Sequence, residues 1–414
     1  MICEHFGRCG GCAYLDISYE DELTLKKNAL VECLGEYGFL VKSLKPSPLP
    51  VGYRNKMELA FGDESKDGRL ALGMRKKRSY YEVATPLDCV LIPDDFKKII
   101  EYVLEYFREA GEAFFHRKRH IGALRHLVLR HGAFTGEILI NLSATSALQA
   151  PLEPFVQGLT SLPLAGKIVG ILHSVNDGVA DAVKNENVRL LWGRDYFYEE
   201  ICGLRFKVAA HAFFQTNSSA AEVLYEIVKD YAAEGNFNPK RLSIIDESGF
   251  LSAISDPERR IKFPSAANST AYDLYCGTGT IAQIIAPLFE RVVGIELVED
   301  AILSAKDNAK LNFITNCEFH AGDVFDVLRN LPGTRPGVIV VDPPRDGLHP
   351  KALSQISALA SPRLIYVACK PSSLARDLVL LAKAGYTPVK IDAVDMFPRT
   401  PHVECCALLR LADT

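Results

Sequence analysis

From Thr270 onward the chain repeats one unit: a short apolar run, a turn marked by Gly or Pro, then helix-forming residues. The runs Ala271–Tyr275, Arg291–Ile295, Val338–Val341 and Leu364–Ala368 are apolar enough to be strands covered on both faces. Such alternation leaves one architecture, a doubly wound α/β sheet of Rossmann-like kind, whose ligands sit at the carboxyl ends of the strands.

The chain's 414 residues exceed what one core usually holds. Three units are expected. Residues 1–92 hold a Cys-rich segment and the start of a central domain. Residues 93–220 complete a central mixed α/β domain. Residues 221–414 form the Rossmann-like half, with a Ser-, Asn- and Pro-rich insertion at about 234–269. In the first half the patterning predicts helices near Glu20–Tyr37 and Pro93–Ala113. It predicts strands at Met57–Phe61, Ala71–Arg75, Ala123–Arg130, Glu137–Ser143 and Lys167–Ser174, paired as a mixed or antiparallel sheet.

The chain is 48% hydrophobic, which sustains real cores. Lys and Arg number 47 against 51 Asp and Glu, a net charge of −4 that excludes no nucleic-acid partner, because the distribution of charge decides. No run of apolar residues is long enough for a membrane span, and MICEHFGRCGGC lacks the apolar core of a signal peptide. A cytoplasmic protein is expected. The 11 Cys, odd in number and unevenly spaced, do not read as a secreted disulfide framework. In a reducing compartment, clustered Cys indicate metal or catalysis.

The segment AYDLYCGTGT ends a strand at Tyr275, and Gly277 and Gly279 turn the chain into a helix at Ile281. Glycines there allow close backbone approach to a nucleoside-type cofactor. Glu296 ends the next strand, where a carboxylate can take both ribose hydroxyls. The Gly pattern also fits a dinucleotide fingerprint. Asp323 ends the following strand and reads equally as an acceptor for an adenine amino group or as a helix N-cap.

Three more segments fall at strand ends. In Val341-Asp342-Pro343-Pro344-Arg345 the prolines fix a rigid loop presenting Asp342 and Arg345. In Tyr366-Val367-Ala368-Cys369-Lys370 a Cys follows a buried strand, and Lys370 beside it can favour the thiolate. Taken alone, such a Cys is more often an inert small hydrophobe. Glu404 opens the last apolar run, where an acid is unfavourable without a task or partner. A thiolate and a carboxylate beside a methyl donor suit methylation of carbon 5 of uracil. The thiolate adds to carbon 6, carbon 5 takes the methyl group, and a base then removes the carbon-5 proton. Upstream, Ala212-Phe213-Phe214-Gln215-Thr216-Asn217 opens a helix. A Phe there can stack on a flipped base, or pack in a core beside a cap at Thr216 or Asn217.

These segments, in this order, resemble the RNA 5-methyluridine methyltransferases that act on ribosomal and transfer RNA. The resemblance runs from Cys3 to about Leu411 through FFQTN, DLYCGTGT, GIE, GD, DPPRDG, YVACKP and FPRTPHVE. It implies that Gln215, Tyr275, Thr280, Glu296, Asp323 and Asp342 line an S-adenosylmethionine site. It implies further that Phe213, Arg345 and Asp342 face the target uracil, and that Cys369 and Glu404 are nucleophile and base. Cys3, Cys9, Cys12 and Cys89 match the family's ligands to a [4Fe–4S] cluster; four thiolates alone would equally suit tetrahedral zinc. The form implied lacks the family's N-terminal barrel. Lys370 stands where the family usually has Asn, and Arg399 where it often has His.

The basic runs Arg75–Arg78 and His116–His120, with Tyr53, Tyr80 and Tyr81 nearby, fit RNA backbone and unstacked bases, though each alone reads as a solvated face. Large-subunit (23S) ribosomal RNA is the expected substrate, with transfer RNA as the alternative, and a monomer is expected. The competing readings are a nicotinamide-dependent oxidoreductase, a non-catalytic RNA-binding factor and a cytosine-directed methyltransferase.

Overall fold

The computed structural model of the chain describes residues 3–178, 187–234, 270–331 and 335–412; the expected insertion lies outside them save for Glu234. An eight-stranded sheet carries the second half of the chain. Its order is Val41–Lys45, Tyr386–Val394, Glu404–Leu411, Arg363–Ala368, Val338–Val341, Thr270–Leu274, Arg291–Glu296, Cys317–Ala321. The last five run parallel to one another. Glu404–Leu411 is antiparallel to both of its neighbours. The winding reverses between Thr270–Leu274 and Val338–Val341, so a crevice opens at the carboxyl ends of those two strands.

The apolar runs end up where their composition demands. Every residue of Val338–Val341 and Arg363–Ala368 is buried. Successive residues serve opposite faces. Val338 and Val340 pack with Leu224 and Val228 of the helix Ser218–Ala233. Ile339 and Val341 pack with Leu30 and Leu34 of the helix Tyr19–Leu34 and with Leu374 and Leu378 of the helix Pro371–Lys383. The N-terminal helix is therefore part of the cover of the Rossmann-like sheet. Val41–Lys45 adds an edge strand to that sheet, parallel to Tyr386–Val394. Its sequence, VKSLK, is short and half exposed, and it lacks the alternation that marks a strand.

The central sheet has seven strands in the order Val83–Ala84, Leu70–Arg75, Lys56–Asp63, Leu124–His131, Glu137–Ala144, Lys167–Val175, Val188–Gly193. It is mixed, since Glu137–Ala144 and Lys167–Val175 pair in parallel across the helix Leu152–Thr160. One face buries Leu59, Phe61, Leu127, Leu129 and Ile140 against Phe96, Val103 and Phe155 of the helices Asp94–Glu109 and Leu152–Thr160. The sheet draws strands from both sides of residue 92. A hairpin, Tyr196–Ile201 with Leu204–Ala209, leads into the helix Ser218–Ala233.

Candidate active site

The strand Thr270–Leu274 delivers Tyr275 with φ +67°, a left-handed backbone that a bulky residue adopts only where the surroundings dictate it. Here Tyr275 and Cys276 both donate their N–H groups to the carbonyl of Ile295, at 2.8 and 3.0 Å. Gly277 and Gly279 follow at φ +53° and +77°. A Cβ on Gly277 would meet nothing within 4 Å, so that side of the loop is open. A Cβ on Gly279 would stand 2.8 Å from Phe319 and 2.9 Å from Ala305. Gly279→Ala thus combines a left-handed penalty of about 1–2 kcal/mol with overpacking of about 1–3 kcal/mol. A loss of about 2–5 kcal/mol is expected in urea unfolding; an unchanged midpoint would show that the loop yields freely.

Glu296 faces this loop. Its carboxylate accepts from Gly277 N at 3.2 Å and from Val298 N at 3.0 Å, which fixes it at the strand end beside the open side of the turn. Leu297 and Val298 lie exposed next to it and offer an apolar ledge for a flat ring. Asp323 caps the helix Val324–Asn330, accepting from Phe325 N at 2.9 Å, and Gly322 N binds the carbonyl of Glu296 at 2.9 Å. The cap reading of Asp323 is thus realised at a position adjoining Glu296. Thr280 begins the helix after the loop and is buried.

Asp273 was not among the expected site residues. It is fully buried, and one carboxylate oxygen accepts from Ala282 N at 2.8 Å. The other oxygen has no protein partner. Burial pushes this acid well above the usual carboxylate range, and Asp342 and Glu296 push it further. An orphaned buried acceptor under a glycine loop suits a ligand that carries positive charge or donors, and a sulfonium amino acid has both.

The second cluster forms where three strands end together. In the antiparallel ladder Ala368 pairs with Cys405, and Val394 pairs with Glu404 from the other side. One further step of the first register sets Cys369 opposite Glu404. Two residues from different segments of the sequence therefore share one edge. Glu404 is only 3% exposed, while Cys369 is half-buried. Burial raises the Cys369 thiol, the neighbouring Glu404 and Asp342 raise it further, and Arg345 pulls it down. Lys370 was expected to supply that pull. It lies exposed at the N-terminus of the helix Pro371–Lys383, and the cation acting on the thiol is Arg345. Burial also lifts Glu404 well above the usual range, Asp342 adds to this, and Arg345 opposes it.

The loop with Asp342 and Arg345 is braced by the helix after Cys369. Ser373 donates to the carbonyl of Arg345 at 2.6 Å, and Arg376 to that of Asp346 at 2.6 Å. Asp377 accepts from Leu348 N at 2.8 Å and from the Tyr366 hydroxyl at 2.7 Å. Neither Ser373 nor Asp377 carried a sequence signal, because each looks like an ordinary helix residue.

Burial pushes Asp342 from 3.8 up to about 7. A raised acid stabilises the fold fully below the unfolded value, and that contribution is lost as pH rises through the folded one. Asp342→Asn removes the loss. At pH 8 the variant is expected to be more stable than the parent by roughly 2–4 kcal/mol, with the two converging near pH 4. Parallel thermal melts across that range check this, and a parent more stable at pH 8 would contradict it.

Phe213 is 72% exposed, whereas its neighbour Phe214 is buried and packs on Phe206 with ring centroids 6.0 Å apart. The two readings of the Phe pair thus divide between them. Gln215 is buried, and its carbonyl accepts from Asn55 at 3.0 Å. Asn217, rather than Thr216, caps the following helix, accepting from Ala220 N at 3.2 Å.

Cys3, Cys9, Cys12 and Cys89 line one apolar pocket with Met57, Met74, Leu91, Ile92 and Arg54. Burial raises Cys3 to about 11 and Cys12 to about 12, and the neighbouring thiols push Cys12 the same way. Four thiols that repel one another as thiolates fit a cationic centre.

A Rossmann-like sheet with a glycine loop after its first strand, an acid ending the second and an antiparallel last strand suits a methyltransferase domain. Residues 265–390 match the family described as a methyltransferase domain. An RNA methyltransferase of Clostridium tetani is 40% identical over 415 residues, covering 100% of this chain and 84% of that protein. One from Caldanaerobacter subterraneus subsp. tengcongensis is 41% identical over 410 residues, covering 98% and 84%. The fold is similar to that of the Pyrococcus abyssi tRNA (uracil-54, C5)-methyltransferase in complex with S-adenosyl-L-homocysteine, with a TM-score of 0.74 and 27% identity over 97% of this chain and 86% of that one. The chain belongs to the RNA methyltransferases and uses S-adenosylmethionine as methyl donor. Among the described residues no helix is long and apolar enough to cross a membrane.

Proposed function

We propose that this enzyme methylates carbon 5 of a uridine in RNA, with Cys369 as nucleophile and Glu404 as base. The observation that carries this reading is the strand register that sets Cys369 against Glu404, beside Asp342 and Arg345 at the donor crevice. The Cys369 thiolate adds to carbon 6 of the uracil, and the ring electrons move to carbon 5 and the carbonyl oxygen. Arg345, whose charge acts on both Cys369 and Glu404, would stabilise this developing charge. Carbon 5 then takes the methyl group from the sulfonium. Glu404 removes the carbon-5 proton, the double bond re-forms, and the carbon–sulfur bond breaks to release the thiolate. Exposed Phe213 is placed to stack on the flipped base. Gln215, Tyr275, Thr280, Glu296, Asp323 and Asp342 would hold the donor, with Asp273 beneath it.

Cys3, Cys9, Cys12 and Cys89, which line one pocket, would hold a [4Fe–4S] cluster rather than zinc, as the resemblance of their spacing to the family's ligands implies. Such a cluster would fasten the N-terminal segment; the methylation needs no electron from it.

RNA would lie against the central domain. Tyr81 stacks on His116 with centroids 4.3 Å apart, which sets the two basic runs side by side. Lys77, Arg78, Tyr80, Lys118 and Arg119 are exposed there. Tyr53 drops out as a stacking surface, because it is buried and donates to the carbonyl of Pro398 at 3.1 Å. Replacing Lys77, Arg78, Lys118 and Arg119 with Ala is expected to weaken RNA binding about tenfold or more and to flatten its salt dependence by about one logarithmic unit of slope per lost phosphate contact. Binding that keeps the parent's slope in a salt titration would move the RNA elsewhere.

The substrate we favour is large-subunit ribosomal RNA. Nucleoside mass spectrometry of each RNA from a strain lacking this protein tests the reading. Loss of one 5-methyluridine from ribosomal RNA supports it, and loss from transfer RNA would move the substrate while keeping the reaction. Loss of a different methylated nucleoside would end it.

A further inference from the structure

The chain just before Glu404 is held in an unusual way. Four consecutive carbonyls, from Met396 to Arg399, are each taken by a different part of the protein. Asn217 donates to Met396 O at 3.1 Å, and Lys26 to Phe397 O at 3.1 Å. Tyr53 donates to Pro398 O at 3.1 Å, and Ala13 N to Arg399 O at 2.8 Å. Arg399 itself has φ +69°, a backbone that only its surroundings can impose.

At the centre of these ties lies a buried ion triad. Lys26 Nζ sits 2.7 Å from Glu22 and 2.6 Å from Asp395, and all three side chains are at most 1% exposed. Glu22 also accepts from Arg399 N at 2.6 Å and pairs with the Arg399 guanidinium at 3.4 Å. Asp395 accepts from the Tyr19 hydroxyl at 2.9 Å, and its N–H binds Lys45 O at 2.9 Å. A fully desolvated triad is weak support for stability as such, since an apolar replacement often serves as well. What it supplies is direction: it fixes both ends of a short loop to one helix.

We propose that Glu22, Lys26 and Asp395 are positioning residues for the base, holding residues 395–403 so that Glu404 faces the carbon-5 proton. This rests on the uracil reading above. The triad acts only at proton removal, so its loss stalls the reaction after methyl transfer, with RNA still bonded to Cys369. A change that merely loosens the fold would lower adduct formation as well.

The test compares the parent, Glu404→Gln, Lys26→Met and Lys26→Arg on RNA with S-adenosylmethionine, scoring turnover, KM values and protein–RNA adduct stable in denaturing gels. Lys26→Met is expected to lose turnover on the order of 10²-fold, as a misplacement of about 1 Å costs. It is expected to accumulate adduct as Glu404→Gln does, with KM values for donor and RNA within about threefold, and Lys26→Arg is expected to recover part of the turnover. Should Lys26→Met not purify folded, Tyr53→Phe, which removes one hydroxyl from the loop's ties, decides by a several-fold rise in adduct. Lost turnover without adduct in a folded variant, or parent-like turnover, would overturn the inference while Glu404→Gln still traps RNA. Absence of adduct in Glu404→Gln would overturn the uracil reading and this inference with it.

Discussion

Cys369→Ala is expected to lose methylation by on the order of 10⁴-fold or more, and to form no protein–RNA adduct under any condition. The thiol of Cys405 beside it is fully buried, and burial raises it well above its ordinary value, so it does not take that place. Arg345 has no nucleophile to offer, and Asp342 and Glu404 are carboxyls whose burial favours the neutral form. Donor binding is expected to stay within a few-fold of the parent, because the glycine loop, Glu296 and Asp273 lie on other strands. Calorimetric titration with S-adenosylhomocysteine separates the two effects. A Cys369→Ala protein that supports full methylation would leave only a different chemistry, and one that performs its cellular role without methylating would point to a non-catalytic RNA-binding factor.

Glu404→Gln is expected to give the opposite signature. Thiol addition and methyl transfer do not need the base, whereas release does, so turnover should fall by about 10²–10⁴-fold while adduct builds up. The substitution is close in shape and removes an acid that burial already disfavours, so the fold should gain stability above neutral pH. The parent's turnover should rise with pH through the neutral range. The Cys369 thiol and the Glu404 carboxyl are both raised, and in the proposed reaction both act in the deprotonated form. A turnover that fell as pH rose there would exclude these roles.

Much of this site was legible because local chemistry marked it. Gly277 and Gly279 signalled a left-handed turn, the paired prolines after Asp342 signalled a rigid loop, and Glu404 stood out as an acid entering an apolar strand. Other parts depend on partners hundreds of residues away. Lys26 looks like one more surface lysine on a polar helix until Asp395 is placed against it, 369 positions on. Val41–Lys45 shows no alternation, and only pairing with Tyr386–Val394 makes it a strand. Asp273 hides within an apolar run. The cation that acts on Cys369 was misread as its neighbour Lys370, because adjacency in sequence says nothing about direction across a helix N-terminus. Arg345, brought in by the braced proline loop, holds that place.

A direct measurement uses RNA in which 5-fluorouridine replaces uridine, incubated with the protein and S-adenosylmethionine, followed by peptide mass spectrometry. Fluorine at carbon 5 cannot leave as a proton, so the reaction should halt with a methylated fluorouracil bonded to the peptide that contains Cys369. An adduct on any other residue, or methylation of this RNA with no bond to the protein, would contradict the account.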